Sequence, residues 1–291
     1  MCRSACEQGC GRIKMPPENL ISVIMGVRYL RPELNTLRRS VDSILAQTYS
    51  DFELVICERG STEQAKALLA GYAMRDSRIR LISGEETGSF SEQLNVCLKE
   101  SFGAWIARMD DDDFSFPERF EKQIEYLRSH DAAFVGCNVR LVQDGADAGV
   151  QCFPETPQAR DFLFSMPFIH PALMFRRDVL ENVGGYSALP RCERCEDYDL
   201  LMRLYEKGYY GANLQEFLFA YSLPHNGIST RNFRDRTNEV RTRWTRFAAL
   251  GLFPLALPYA IKPWIIWLLP QKMLKRLKEK RAAKSSGKYM R

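Results

Sequence analysis

The stretch AWIARMDDDDFSFPERFEKQ, residues 104–123, runs an apolar segment into four consecutive aspartates, Asp110 to Asp113. Adjacent carboxylates repel one another, so the run invites a cation between them. Hard divalent ions, Mg2+ or Mn2+, prefer oxygen ligands and share them with substrate phosphates. In strand geometry Asp110 and Asp112 point one way and Asp111 the other, so an Asp-x-Asp pair can meet one metal-diphosphate. The plainer reading is a solvated acidic turn that caps a helix beginning near Pro117, with Asp113 or Ser115 as the cap. A second acidic pair, Glu196-Asp197, opens EDYDLLMRLYEKG (196–208), an amphipathic helix pattern ending at a glycine. Of nine cysteines, Cys2, Cys6 and Cys10 recur every fourth residue, and Cys192 and Cys195 form a CxxC. With no second CxxC or paired His at zinc-like spacing, incidental cysteines outrank a structural metal.

The elements that must position these residues are legible as patterns. LISVIMGV (20–27), FELVIC (52–57), RIRLI (78–82) and AWIARM (104–109) read as buried strands. Between them, Leu34, Leu37, Val41, Ile44 and Leu45 keep helical spacing, with Pro32 at the helix start. Residues 62–74 and 89–100 suit two further helices. Strand and helix in alternation, with apolar strands, imply a parallel sheet covered on both faces. Ligands bind such sheets beyond the carboxyl ends of the strands. The aspartates, ERGST (58–62) and GVRYLRPE (26–33) all fall there, as for a nucleotide-type cleft. Neither GxGxxG nor GxxxxGK[ST] occurs. Further on, AAFVGCNVRLV (132–142) and HPALMFRRDVL (170–180) carry strand-like runs, and GGY (184–186) marks a turn.

Net charge is +5 but unevenly placed: residues 272–291 carry a local balance of +8, leaving −3 for the rest. The body is therefore not a nucleic-acid-binding surface, and the basic end points to an anionic one. Residues 247–269 are apolar apart from Lys262, interrupted by Pro254, Pro258 and Pro263. Trp264 and Trp267 followed by KMLKRLKEKR fit a membrane-surface anchor. Packing on the body and a re-entrant or spanning segment are the alternatives. The opening MCRSACEQGC has no apolar signal core, so the cytosolic side and reduced thiols are expected.

IARMDDDDFSFPERFEKQIEYL resembles the Asp-x-Asp segment of family 2 glycosyltransferases. The resemblance runs from SVIMGVRY and LRRSVDSILAQTYSDFELVI through LNVCL to IHPALMFRRDVLENVGGY and CEDYDLLMRL, about residues 20–222, in the family's own order. A bacterial polysaccharide-biosynthesis subset is most similar. The resemblance implies an α/β GT-A fold with a Rossmann-like, mostly parallel sheet flanked by helices, to which the apolar and basic C-terminal residues add a helical, membrane-associating tail. It divides the chain into a loose leader (1–19), a catalytic domain (20–232, with a nucleotide-sugar half 20–113 and an acceptor half 114–232) and the tail (233–291). It implies an inverting, metal-dependent transfer from a nucleotide-diphospho-sugar to a glycan or lipid-linked acceptor at the cytoplasmic face of the cell membrane. Asp112 would be the main metal ligand, and Asp110 would contact the ribose or the metal. Val27, Tyr29, Glu58, Arg59 and Asp111 would line the nucleotide-sugar side, and His170 and Glu196 the acceptor side. Asp197 would be the catalytic base, against the plainer reading of a first-turn acid satisfying helix N–H groups. Arg108 and Arg176 would aid phosphate binding or serve at the surface.

Several positions depart from the family pattern. The usual VVDDGST reads ICERGST, placing Glu58 where an Asp reads the nucleobase, with Arg59 next. The metal-ligand His of many relatives is replaced in register by Pro224, with His225 one residue late. Either the loop shifts and His225 still coordinates, or the metal has fewer protein ligands. Arg59 and Pro224 motivate a second reading, a degenerate member that binds a nucleotide sugar or a partner without catalysis. A nucleotidyltransferase ranks below both, because GVRYLRPE supplies Arg28 and Arg31 but one Gly. A glycoside hydrolase also uses paired carboxylates, but not adjacent aspartates at one strand end.

Overall fold

A computed structural model of the chain describes residues 17–84, 88–224 and 231–268. The first strand, β1 (Ile21–Val27), is buried at every residue, and it is hydrogen-bonded in parallel on both sides. That is why its sequence is an unbroken apolar run and not an alternating one. Its neighbours are β2 (Phe52–Glu58) and β4 (Trp105–Arg108), and β3 (Ile79–Ser83) extends the sheet beyond β2. Helices α1 (Asn35–Leu45), α2 (Glu63–Arg75) and α3 (Phe90–Glu100) make the crossovers. Helix α1 starts at Asn35, three residues beyond the expected Pro32. Helix α3 opens with a reciprocal capping box between Ser89 and Glu92, which fixes its first turn.

Beyond β4 the sheet becomes mixed. Its order is β3-β2-β1-β4-β8-β6-β9-β5, with β7 (Ala146–Gln151) on β6 (Phe134–Gln143). Strand β8 (Met174–Arg176) is antiparallel to both β4 and β6, whereas β6 and β9 (Gly211–Ser222) run parallel. Strand β5 (Phe114–Ser115) returns antiparallel on β9. The strand-like run at 170–180 is mostly not strand: it forms a 3-10 turn at His170–Ala172, the short β8 and the helix α5 (Arg177–Asn182). Pro171 lacks the N–H that a ladder needs, so extended pairing starts only after it.

Period-two alternation divides the core into two layers. Ile21, Val23 and Met25 of β1 face α1, α2 and α4 (Arg119–Ser129). Ile24 faces the opposite layer, with α3, α5 and α6 (Glu196–Glu206). Two further helices, α7 (Phe233–Ala249) and α8 (Leu257–Leu268), join that second layer through Phe247, Ala256 and Ala260. The described part of the tail thus packs on the body through one face, while Trp264, Ile265, Trp267 and Leu268 of α8 stay exposed. Among the described residues no helix is long and apolar enough to cross a membrane.

Candidate active site

The carboxyl ends of β1 and β2 are laced together. The Val27 carbonyl accepts from the Arg59 amide (3.0 Å) and from Gln93 Nε2 (3.0 Å). The Tyr29 amide donates to Ser61 Oγ (2.9 Å), and the Tyr29 carbonyl accepts from the Thr62 amide (3.0 Å). Glu58, buried, takes the Ser61 amide on Oε1 (2.8 Å) across a turn whose Gly60 has φ +61°, a conformation that favours glycine. Val27 and Tyr29 are buried in the layer that also holds Met25 and Leu37.

The four aspartates are not a strand continuation. β4 ends at Arg108, and Asp111 and Asp112 form a turn, so strand alternation does not set their directions. Two distant elements hold the turn. Ser40 Oγ donates to the Asp110 carbonyl (2.7 Å), and Ser222 Oγ to the Asp112 carbonyl (2.5 Å). Asp113 caps no helix. It is buried, accepts the Ser222 amide on Oδ1 (2.7 Å), and its Oδ2 has no partner. Ser115 likewise caps nothing and bonds Gln47 Nε2 through its hydroxyl (3.0 Å). Asp110 pairs with the buried Arg108 guanidinium, and Asp112 with the more exposed Arg31 (3.1 Å). Burial, then the charge of Asp112 and Asp110, pushes the Asp111 carboxyl up to about 7. Burial and Asp110 also push Asp112 up, and Asp113 is held well above the usual carboxylate range. Among the described residues no ready cluster of three or more His, Cys, Asp or Glu side chains forms a metal site. The donor set nevertheless fits a hard cation: crowded, oxygen-only ligands whose mutual repulsion a divalent ion would relieve, one of them with an orphaned oxygen.

Opposite lies the start of α6. Asp197 accepts the Tyr198 amide on Oδ1 (2.7 Å) and lines a cavity of about 240 Å³ with Phe164, Met166, Arg231, Glu239 and Lys262. Burial raises the Asp197 carboxyl above its ordinary value, with the Tyr198 amide and Arg231 opposing. Glu196 is pushed up to about 7 by burial and then by Asp197, and its Oε2 is buried without a partner. His170 is buried; its Nε2 lies 2.9 Å from the Tyr186 hydroxyl, and burial holds it well below its usual value, hence neutral.

The Tyr186 hydroxyl is raised first by burial, with Arg108 opposing, and then by Asp110, Asp197 and Glu196. Tyr221 of β9 is raised by burial and then by Asp113, Asp110, Asp112 and Asp197. The charges of both acid groups thus act on the same two phenols. Arg176 lies elsewhere: it pairs with Trp105 at the opposite end of β4 and bonds Asp178. His225 lies outside the described residues, as do Cys2, Cys6, Cys10 and the basic segment 272–291.

Sequence reasoning singled out the acids and missed what steadies them. Ser222 carries no local signature, because it bonds Asp113 from 109 positions away, and Tyr186, which meets His170 from 16 positions away, Tyr221 and Glu239, which pairs with Arg231 at 2.8 Å, were likewise not singled out. Arg231 had a positional signal, as the last residue of the ISTR that follows the usual His position.

Glu196 allows a pH test. Its folded-state value, about 7, exceeds the ordinary glutamate value of 4.5. Its contribution to stability is thus fully present below about 4.5 and is lost as pH rises through about 7. Glu196→Gln removes that loss, so its melting temperature relative to wild type should climb between pH 5 and pH 8. A pH-independent difference would refute the buried, protonated carboxyl.

The Glycosyl transferase family 2 model matches residues 28–184, more than half of the chain. The chain is 32% identical over 263 residues to EpsE of Bacillus subtilis (strain 168), named as a glycosyltransferase, covering 90% of this chain and 94% of EpsE. It is 36% identical over 214 residues to the O-antigen biosynthesis glycosyltransferase WbnJ of Escherichia coli, covering 72% of this chain and 81% of that one. Residues 1–349 of TarS from S. aureus, solved in complex with UDP, superpose with a TM-score of 0.61 at 17% identity, over 79% of this chain and 65% of that one. At that identity the likeness shows the fold alone, and the chain spans just under two thirds of the TarS chain. The protein belongs to glycosyl transferase family 2 and has the GT-A fold. It is a glycosyltransferase.

Proposed function

We propose that this glycosyltransferase moves a sugar from a nucleotide-diphospho-sugar to a hydroxyl of a lipid-linked surface glycan, with inversion at the anomeric carbon. The observation that carries this reading is a pair of acid groups, each with an unpartnered buried oxygen: Asp110–Asp113 after β4, held by Ser40 and Ser222, and Glu196-Asp197 at the start of α6. One group suits the donor diphosphate and the other the acceptor hydroxyl. Asp110 and Asp112 would hold Mg2+ or Mn2+, with His225 as a further ligand if its loop brings it in. When bound, the cation offsets the negative charge gathered on the departing nucleoside diphosphate.

The chain's own residues do the rest. Asp197 takes the proton of the attacking hydroxyl, and Glu196 lines the acceptor side. Arg108 orients Asp110 from a fully buried position. Val27, Tyr29, Glu58, Arg59 and Asp111 border the nucleoside. In this reading residues 20–113 form the donor half, 114–232 the acceptor half, and 233–291 a tail that completes the acceptor side and meets the cytoplasmic face of the membrane. Trp264, Ile265, Trp267 and Leu268 on α8, all exposed, support that contact, with the basic residues 272–291 following in sequence. The name of WbnJ supports a surface-glycan acceptor.

The test is a thermal-shift series with UDP-, GDP- and dTDP-sugars, with and without Mn2+, on wild type and Asp112→Ala. Binding to the folded state raises the melting temperature by mass action. The expected result is a Mn2+-dependent rise with one donor class that Asp112→Ala abolishes. A folded wild-type protein that shifts with no donor would overturn the reading.

A further inference from the structure

Two thiols that the reaction above leaves unused meet between β2 and α3. Cys57, the last residue but one of β2, and Cys97 of α3 are buried in the same apolar layer, and their side chains hydrogen-bond each other. A close approach of the backbones makes the meeting possible. Cys57 pairs with Gly26 on β1, and a side chain at Gly26 would stand 3.0 Å from the Phe90 ring and 3.3 Å from the Gln93 Cβ. The bare glycine lets α3 settle onto the sheet at this point. Gln93 donates to the Cys57 carbonyl through Nε2 (3.1 Å), and one turn later on the same helix face Cys97 Sγ reaches the Met25 carbonyl (3.6 Å). A disulfide needs Cα atoms within about 7 Å and side chains that face each other. The glycine serves the first condition and the thiol contact the second.

The two thiols are chemically unequal. Cys57 is held below its ordinary value, first by the hydrogen bond with Cys97, with burial opposing and the Arg59 charge adding to the fall. Arg59 is itself buried, and its Nε and Nη1 have no hydrogen-bond acceptor; the Glu92 carboxylate stands 3.6 Å away. A cation beside a thiol favours the thiolate, which is the form that attacks oxidants. Cys97 is held well above its ordinary value by burial and then by Cys57, so it keeps its proton. Burial likewise pushes up Cys137, Cys192 and Cys195. One activated thiol thus touches one protonated thiol, the arrangement of an attacking and a resolving cysteine.

We propose that Cys57 and Cys97 form a redox site, in which a peroxide oxidises Cys57 and Cys97 then closes a reversible disulfide between β2 and α3. The Cys57 thiolate attacks one peroxide oxygen: an S–O bond forms, the O–O bond breaks, and the sulfur gives up two electrons to the peroxide, which leaves as hydroxide or water. Cys97 then attacks the Cys57 sulfur. The S–S bond forms, the S–O bond breaks, and the departing hydroxide takes the Cys97 proton as water. In sum, two thiols and one hydrogen peroxide give one disulfide and two waters. Full burial of both sulfurs selects a small oxidant over a bulky disulfide such as oxidised glutathione. The bond lies at the root of the turn that carries Glu58 and Arg59. It does not depend on the nucleotide-sugar reading.

The test is peptide mapping of the folded, full-length protein after brief treatment with hydrogen peroxide, with remaining thiols blocked before digestion. Wild type should give a linked Cys57–Cys97 peptide that dithiothreitol reverses. Cys97→Ala should stop at the Cys57 sulfenic acid, which dimedone traps, and Cys57→Ala should leave Cys97 a thiol. In urea the preference for this pair should vanish, because the folded contact creates it. Cys152, half-buried, is the internal control. Folded wild type in which peroxide oxidises Cys152 and leaves Cys57 and Cys97 as thiols overturns the proposal, whether or not the variants fold. A glutathione adduct at Cys57 of the folded protein overturns the assignment to a peroxide.

Discussion

Asp197→Asn should lower kcat by roughly 10²–10⁴-fold while leaving donor binding intact, because general-base assistance is worth about that much. The substitution is close to isosteric. The Asn carbonyl can still accept the Tyr198 amide that Asp197 Oδ1 now takes at 2.7 Å, so α6 keeps its first turn. What disappears is the lone pair able to take the acceptor's proton. Donor thermal shifts should match wild type, because the proposed donor side is at Asp110 and Asp112, after β4 and away from α6. In wild type, burial raises the Asp197 carboxyl, and a base must be deprotonated to act. The acidic limb of kcat against pH should therefore lie above the ordinary carboxylate range. Arg231, which opposes that rise, is a second handle: Arg231→Met should move the limb to still higher pH. Turnover of Asp197→Asn within about threefold of wild type would remove Asp197 from the mechanism and return it to the role of a helix-capping acid.

What the sequence made legible depended on range. Strands β1 and β2 were readable because burial on both faces writes itself as a continuous apolar run. The aspartates stood out because four like charges have no folding reason to adjoin. Their individual orientations were not readable. The chain leaves strand geometry at Arg108, and the turn is held by Ser40 and by Ser222, which lies 110 positions from Asp112. The parallel pairing of β6 with β9, with register shifts around Asn138, is likewise a long-range choice with no local pattern. Helix α7 was the largest gap. Its arginines were assigned no role from the sequence, yet Glu239 gathers Arg231, Arg236 and Arg243 at 2.8, 3.1 and 3.1 Å beside the Asp197 cavity.

That gap carries the largest expected effect on stability. Asp199, with its side chain 2% exposed, sits between two arginines: Arg203 Nε on Oδ2 and Arg246 Nε on Oδ1, each at 2.8 Å. Arg203 belongs to α6 and also ties down the Val183 and Gly185 carbonyls at the glycine turn. Arg246 belongs to α7 and also bonds Glu206. One carboxylate thus joins the tail helix to the helix that presents Asp197. Removing one partner of a buried pair costs about 3–5 kcal/mol, because the remaining charge stays desolvated. Asp199→Ala should therefore lower the melting temperature by roughly 6–20 °C in a chain of this size. Arg246→Met should cost less, since Asp199 keeps Arg203 and Glu206 is partly exposed. The exposed pair of Lys66 and Glu63 sets the contrast: Glu63→Ala should change stability by under about 1 kcal/mol. Asp199→Ala should also depress turnover, because α7 forms one wall of the Asp197 cavity through Glu239 and Arg243. A melting temperature within about 2 °C of wild type would mean that apolar packing through Phe247, Ala256 and Ala260 holds the tail helices in place without the ionic clamp.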